Sequence, residues 1–212
     1  MTTIMVIRHG QSVSNLMGIF TGHLDLALTD LGQEQARITA QYIAENFRVD
    51  KVYSSDLCRA YDTGNAVARL FDLSVQPDKR LREIYAGSWE GRTFNELTDH
   101  FPNYTVFRTD IGNCVTDGGE TVAQLSQRVL EAFESIAKEN DGKTVVIATH
   151  ATPIRALQCH CEGKSLAQMK DVPWVTNASV TTVVYENSAF RLEEVCHDSH
   201  LGDIVSRFPS NV

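Results

Sequence analysis

The chain has 212 residues, 42% of them apolar and 22% charged, and a net charge of −8. That length supports a substantial core within one domain. The acidic balance argues against nucleic acid or an anionic membrane as the main partner, while a few local arginines could still bind a small anion.

The five cysteines (58, 114, 159, 161 and 196) have no framework spacing, and their odd number predicts free thiols in a reducing compartment. Neither a leader nor an apolar run of membrane length is visible, so a cytoplasmic location is expected, with no repeat, linker or low-complexity tract. No pattern sets an oligomeric state.

Thr3-Ile4-Met5-Val6-Ile7 is an apolar run with β-branched members and reads as a buried strand that Gly10 ends. Directly after it comes Arg8-His9-Gly10-Gln11-Ser12-Val13-Ser14-Asn15, an arginine fork and a titratable ring at a strand end. Thr29 is placed to cap a helix over about 30–47, with Leu31, Ile38, Tyr42 and Ile43 as its apolar stripe. A short strand is predicted over 49–54. A helix opening at Ser55 or Asp56 follows, with Thr63, Val67, Leu70 and Phe71 at helical spacing. Arg59 falls in its first turn, where free backbone N–H groups also favour phosphate.

Residues 73–76 read as a strand ended by Pro77, and 81–91 as a glycine-punctuated loop carrying Glu83. A short helix is predicted over 93–100. Residues 102–119 have no clear period and read as an excursion over a site, so the whole is one domain with a lid-like segment at about 92–119. Thr121 caps a long helix to about Asn140, with Val122, Leu125, Val129, Phe133 and Ile136 on one face. Residues 143–149 form the clearest strand, apolar or β-branched almost throughout, and His150 ends it. Pro153 suits the start of the next helix. Residues 179–185 and 190–195 close the chain as a hairpin. Alternating strands and helices predict an α/β sandwich.

Two histidines, 9 and 150, each end a strong strand, and Arg8, Arg59 and Glu83 lie at or just past strand ends. Neighbouring strands would bring all five into one crevice. Phosphoryl transfer calls for such a set, because its charge spreads over three oxygens and catalysis is largely positioning and positive charge. Spacing alone does not choose which histidine attacks, and Glu90 competes with Glu83 for the acidic role. The remaining histidines read as structural or exposed, and His200 has no assignable role. Cys159-His160-Cys161 lacks a second ligand pair at a zinc spacing, so no metal is expected.

Arg-His-Gly-x-Ser-x-x-Asn near the N-terminus resembles the signature of the histidine phosphatase superfamily, the phosphoglycerate mutase-like proteins. The likeness continues in order through Asp25-Leu26-Ala27-Leu28-Thr29-Asp30-Leu31-Gly32, Val52 to Ala60, Leu81 to Gly91 and Ile147-Ala148-Thr149-His150. It implies a three-layer α/β/α sandwich with a mostly parallel central sheet. It also implies that His9 attacks phosphorus, that Arg8, Arg59 and His150 hold the phosphoryl oxygens, and that Glu83 protonates the leaving oxygen and then deprotonates water. Asn15, Thr21, Gly22 and the backbone of Ala151 match further phosphate-contacting positions.

Two positions depart from the pattern. Ala27 replaces a proline, and Ala151 stands where glycine is usual, which would be strained if the backbone there had positive φ. The Trp-Arg-Arg-Ser block of the mutases is missing between Gly91 and Gly118. The expected activity is therefore hydrolysis of small phosphate monoesters, without metal or cofactor, on a small phosphorylated metabolite. A cofactor-dependent phosphoglycerate mutase and a non-catalytic binding protein are the alternatives. Phe101, Tyr104, Phe107 and Arg108 either pack the lid or form a pocket for an apolar or aromatic ester.

Overall fold

The computed structural model describes residues 1–206. In chain order its regular elements are β1 (Thr2–Arg8), α1 (Val13–Met17), α2 (Asp30–Asn46), β2 (Lys51–Ser54), α3 (Cys58–Leu70), β3 (Val75–Pro77), α4 (Phe94–His100) and α5 (Pro102–Thr109). Then follow α6 (Val122–Glu139), β4 (Thr144–Thr149), α7 (Ala151–Cys161), β5 (Val180–Glu186) and β6 (Ala189–His197). The six strands form one sheet in the order β3-β2-β4-β1-β5-β6. The first four are parallel to one another, while β5 runs antiparallel to β1 and β6 antiparallel to β5. The β5–β6 hairpin turns at Asn187 and Ser188, both at positive φ, as the twist of a two-residue loop demands.

The strand period of two divides the core. Ile4, Val6, Val145 and Ile147 face a core completed by α6 and α7. Met5, Ile7, Val52 and Val146 face the other, completed by Ala40, Ile43 and Val67 from α2 and α3. The sheet is thus covered on both faces, in a three-layer α/β/α sandwich.

Thr121 caps α6 with a capping box to Gln124, and all five stripe residues of that helix are buried. α2 departs from its predicted stripe. Leu31 is exposed, and the buried face is Gly32, Gln35, Ala36, Thr39, Ala40 and Ile43. Glycine is needed at position 32 because a Cβ added there would lie 1.9 Å from the Gln11 carbonyl oxygen.

The stretch 102–119 also departs from expectation, since α5 lies within it, started by Pro102 at its first position. Eight residues are too few to display a helical period. Tyr104 and Phe107 of α5 meet Phe20 and Trp89 edge-on, an aromatic cluster that fixes α5 over the sheet's carboxyl edge. After β6, a 3-10 stretch over Ser199–Ile204 docks on α2. Here His200 finds its place: its Nε2 lies 2.9 Å from Thr39 Oγ1, and its ring stacks on Tyr42 at 4.6 Å.

Candidate active site

β1 and β4 are parallel neighbours with Arg8 opposite Thr149, so the residues that follow emerge side by side. The rings of His9 and His150 are 5.1 Å apart at 62°. The next strand out, β2, ends beside Ala148, and the chain then turns through Ser55 into α3. Arg59 is the second residue of that helix. Three parallel strands thus deliver their carboxyl ends to one crevice, as open α/β sheets do.

That crevice is a cleft of about 560 Å³, including its open mouth. Arg8, His9, Arg59 and Glu83 line it, together with Asn15, Thr21, Gly22 and Ala151. His150 differs from expectation in its depth: it is fully buried beneath His9 rather than on the cleft surface. Its Nε2 lies 2.9 Å from Ser55 Oγ, and Nδ1 has no hydrogen-bond partner among the described residues. Ser55 Oγ already accepts the Leu57 N–H, which favours a hydroxyl that donates to Nε2 and leaves the proton on Nδ1.

His9 Nδ1 is 2.7 Å from the Gly10 carbonyl. A carbonyl only accepts, so Nδ1 carries the proton and the lone pair sits on Nε2. Burial, with Arg59 and Arg8 nearby, holds the His9 pKa well below 6.5. His150 is depressed in the same way by burial, Arg59 and His9. Both arginines are pushed down by burial to about 10, partly offset by the Glu83 carboxylate, and stay charged at neutral pH. Arg8 Nη1 donates to the Val175 carbonyl at 2.6 Å. Arg59 donates to the carbonyls of Leu24 and Gly22 at 2.8 and 2.9 Å, tying down the 21–24 loop. Gly22 has φ +51°, and a Cβ there would collide with the Glu90 carboxylate at 2.1 Å.

Glu83 is half-buried. Its carboxylate accepts the backbone N–H of Ile84 at 2.8 Å and of Thr152, in the first turn of α7, at 3.3 Å. Its carbonyl accepts from Arg128 and His23, each at 2.8 Å. Arg128 also holds the carbonyls of Arg80 and Arg82 and pairs with Glu120. Glu90, the rival acid, accepts the backbone N–H groups of His23 and Ala86 and is no part of the cleft lining. Ala151 is the first residue of α7 and is absent from the positive-φ residues, so the missing glycine carries no backbone strain. Thr21 Oγ1 donates to Ser14 Oγ at 2.5 Å, and Ser12 Oγ beside it donates to Asn15 Oδ1 at 3.0 Å.

The wall of the cleft away from the arginines is apolar: Ile19, Phe20, Phe94, Phe107 and Trp174. Sequence reasoning missed Trp174, and it missed the braces Arg128 and Ser55, whose partners are far away in sequence. No three His, Cys, Asp or Glu side chains gather into a metal-holding group among the described residues.

The depressed histidines give stability a pH dependence. The unfolded chain binds protons near pH 6.5 that the folded chain refuses, so this contribution is present above about 6.5 and is lost as pH falls toward the folded values. The urea midpoint is expected to drop between about pH 7.5 and about pH 5.5, and to drop less in His9→Ala. Equal drops in the two proteins would contradict the assignment.

Comparison with known proteins gives a consistent picture. A family model described as histidine phosphatase superfamily (branch 1) matches residues 4–198. Phosphoserine phosphatase 1 of Hydrogenobacter thermophilus is 30% identical over 93% of this chain and 94% of its own. A metal-independent phosphoserine phosphatase of Arabidopsis thaliana is 30% identical over 96% of this chain and 84% of its own. Among solved structures, Bacillus stearothermophilus YhfR superposes with a TM-score of 0.90 at 28% identity, covering 95% of this chain and 100% of its own.

Proposed function

Given that the chain belongs to the histidine phosphatase superfamily, branch 1, we propose that His9 carries the phosphoryl group between substrate and water. The enzyme is a phosphatase of small phosphate monoesters, as its relatives named phosphoserine phosphatase are of theirs. The observation that carries the mechanism is the His9 ring, held neutral between two buried arginines with its lone pair on Nε2. Nε2 attacks phosphorus in line, and the bond to the ester oxygen breaks as Glu83 gives that oxygen a proton. Glu83 then takes a proton from water, which attacks the phosphohistidine and releases inorganic phosphate. Arg8, Arg59, the Asn15 amide and the N-terminus of α7 hold the three phosphoryl oxygens, with His150 buried behind His9.

The cleft favours hydrolysis over the mutase reaction. Among the described residues its lining cations are Arg8 and Arg59, both assigned to the phosphate, which leaves none of that lining for a second phosphate or a carboxylate. We further read residues 92–119 as a lid, since Phe94 of α4 and Phe107 of α5 form part of the cleft wall. An apolar wall solvates a charged alcohol portion poorly, so aryl and apolar alkyl esters suit it best. Beyond Phe107 and Trp174 lies a second hollow with Arg108, Arg155 and Lys170. A substrate whose distal anion reached those groups would reverse this ranking.

The test is phosphate release from a panel in EDTA, beside a coupled assay for 3-phosphoglycerate isomerisation with 2,3-bisphosphoglycerate present. The expected result is EDTA-insensitive release, with 1-naphthyl phosphate favoured over phosphoserine by roughly tenfold or more in kcat/KM. Loss of activity in EDTA would contradict metal independence. Preference for phosphoserine would overturn the apolar reading, and efficient isomerisation would overturn the choice of hydrolysis. No helix of the described residues is long and apolar enough to cross a membrane. The five cysteines are free thiols, which fits the cytoplasm as the place of action.

A further inference from the structure

Three donors converge on one oxygen in the cleft floor. Asn15 Oδ1 accepts from Ser12 N at 3.1 Å, from Ser12 Oγ at 3.0 Å and from Asn177 Nδ2 at 3.3 Å. An amide oxygen so surrounded fixes the flip of its group, and the Asn15 NH₂ is left as a donor for the phosphate. Asn177 is itself 4% exposed, and its NH₂ also donates to the His9 carbonyl at 2.9 Å. One buried amide thus touches both the backbone of the nucleophile and the side chain that orients a phosphate donor.

The local chain is built to place that amide. Residues 176–179 form a tight turn just before β5, closed by Ser179 N on the Thr176 carbonyl at 3.3 Å. Ala178 sits at φ +57°, a conformation alanine rarely adopts, and its N–H reaches the Arg8 carbonyl at 2.9 Å. Behind the turn, Asn177 Oδ1 accepts from Ser206 Oγ at 3.1 Å. Gln35 grips the same C-terminal segment through the Ile204 carbonyl at 2.7 Å and Ser206 Oγ at 2.9 Å, while its own carbonyl accepts Gln11 N at 2.8 Å. Two buried amides therefore join the segment at 204–206 to the loop that follows β1.

We propose that Asn177 is a positioning residue for phosphoryl transfer, holding the His9 backbone and turning the Asn15 NH₂ toward the phosphate, with Ser206 holding Asn177 in turn. This rests on the roles given above to His9 and Asn15. The geometry makes a sharp distinction between two variants. Asn177→Ala removes the donor at every pH. Asn177→Asp keeps the shape but sets a carboxylate against two acceptor oxygens, and regains one donor only when the carboxyl is protonated. Burial raises that carboxyl's pKa, while His9 stays neutral well below 6.5, so the two states fall in an accessible range.

The experiment measures kcat/KM for p-nitrophenyl phosphate from about pH 8 to about pH 5 in the wild type, Asn177→Ala, Asn177→Asp and Ser206→Ala, with melting temperatures alongside. Asn177→Ala is expected to lose roughly 10- to 100-fold. Asn177→Asp loses at least as much near pH 8 and rises severalfold above Asn177→Ala toward pH 5. Ser206→Ala, on the half-buried segment at 204–206 and expected to fold normally, loses about two- to fivefold with its melting temperature unchanged. A wild-type rate in Asn177→Ala would overturn the proposal. So would parallel pH profiles for the two Asn177 variants, or full activity in Ser206→Ala. An inactive wild type would instead overturn the phosphatase reading itself, so the two failures are distinguishable.

Discussion

In His9→Ala, phosphate release is expected to fall by roughly 10⁴-fold or more while phosphate esters still bind. The loss is large because no neighbouring group can take over the attack. His150 is fully buried beneath His9, and its Nε2 is engaged by Ser55. Arg8 and Arg59 are anchored to the carbonyls of Val175, Leu24 and Gly22 rather than to His9, so they keep their places when the ring is removed. Ester affinity should therefore stay within about tenfold of the wild type by equilibrium titration, since the charge that binds the phosphate remains. A variant that retains a tenth of the wild-type rate would show that water attacks phosphorus directly.

The second large effect belongs to Glu83→Gln, with an expected loss of roughly 10²- to 10⁴-fold in kcat. Glutamine keeps the acceptor oxygen for the Ile84 or Thr152 N–H, so the loop at 83 is preserved. Arg128 and His23 hold the backbone carbonyl, which the substitution leaves untouched. What is lost is the proton for the departing oxygen. The size of the effect should follow leaving-group basicity: an alkyl phosphate needs that proton, whereas p-nitrophenolate leaves without it. A plot of log kcat/KM, which reports the transfer to His9 and not the later hydrolysis, against leaving-group pKa is expected to be steeper in Glu83→Gln than in the wild type. Equal slopes would remove Glu83 from the acid role.

The parts of the fold legible in the sequence are those where one local pattern governs the outcome. Val145 to Thr149 is buried on both faces and reads as a continuous apolar run, and α6 packs one clean stripe on the sheet. His9 and His150 stood out because each ends such a strand. α2 was misread because its buried face meets glycines and the C-terminal segment, so it uses Gln35, Thr39 and alanines where a core helix would use leucines. α5 is too short to show a period.

Within the site, most of the polar residues that line the cleft were legible, and the groups that hold them were not. Arg128, Ser55 and Asn177 act on Glu83, His150 and His9 across long separations in sequence. Their partners are mostly backbone carbonyls, which leave no mark on residue spacing. Ala151 shows the same limit from the other side, since its departure from the pattern is harmless once it proves to be the first residue of a helix.

The most direct test of the central claim is to quench the wild-type enzyme during steady-state turnover of a phosphate ester, under alkaline conditions, and map the phosphoryl group by peptide mass spectrometry. A phosphoryl group that is stable to alkali, labile to acid and located on His9 is the predicted result. A phosphoryl group on any other residue, or direct transfer to water with inversion at a chiral phosphorus, would contradict it.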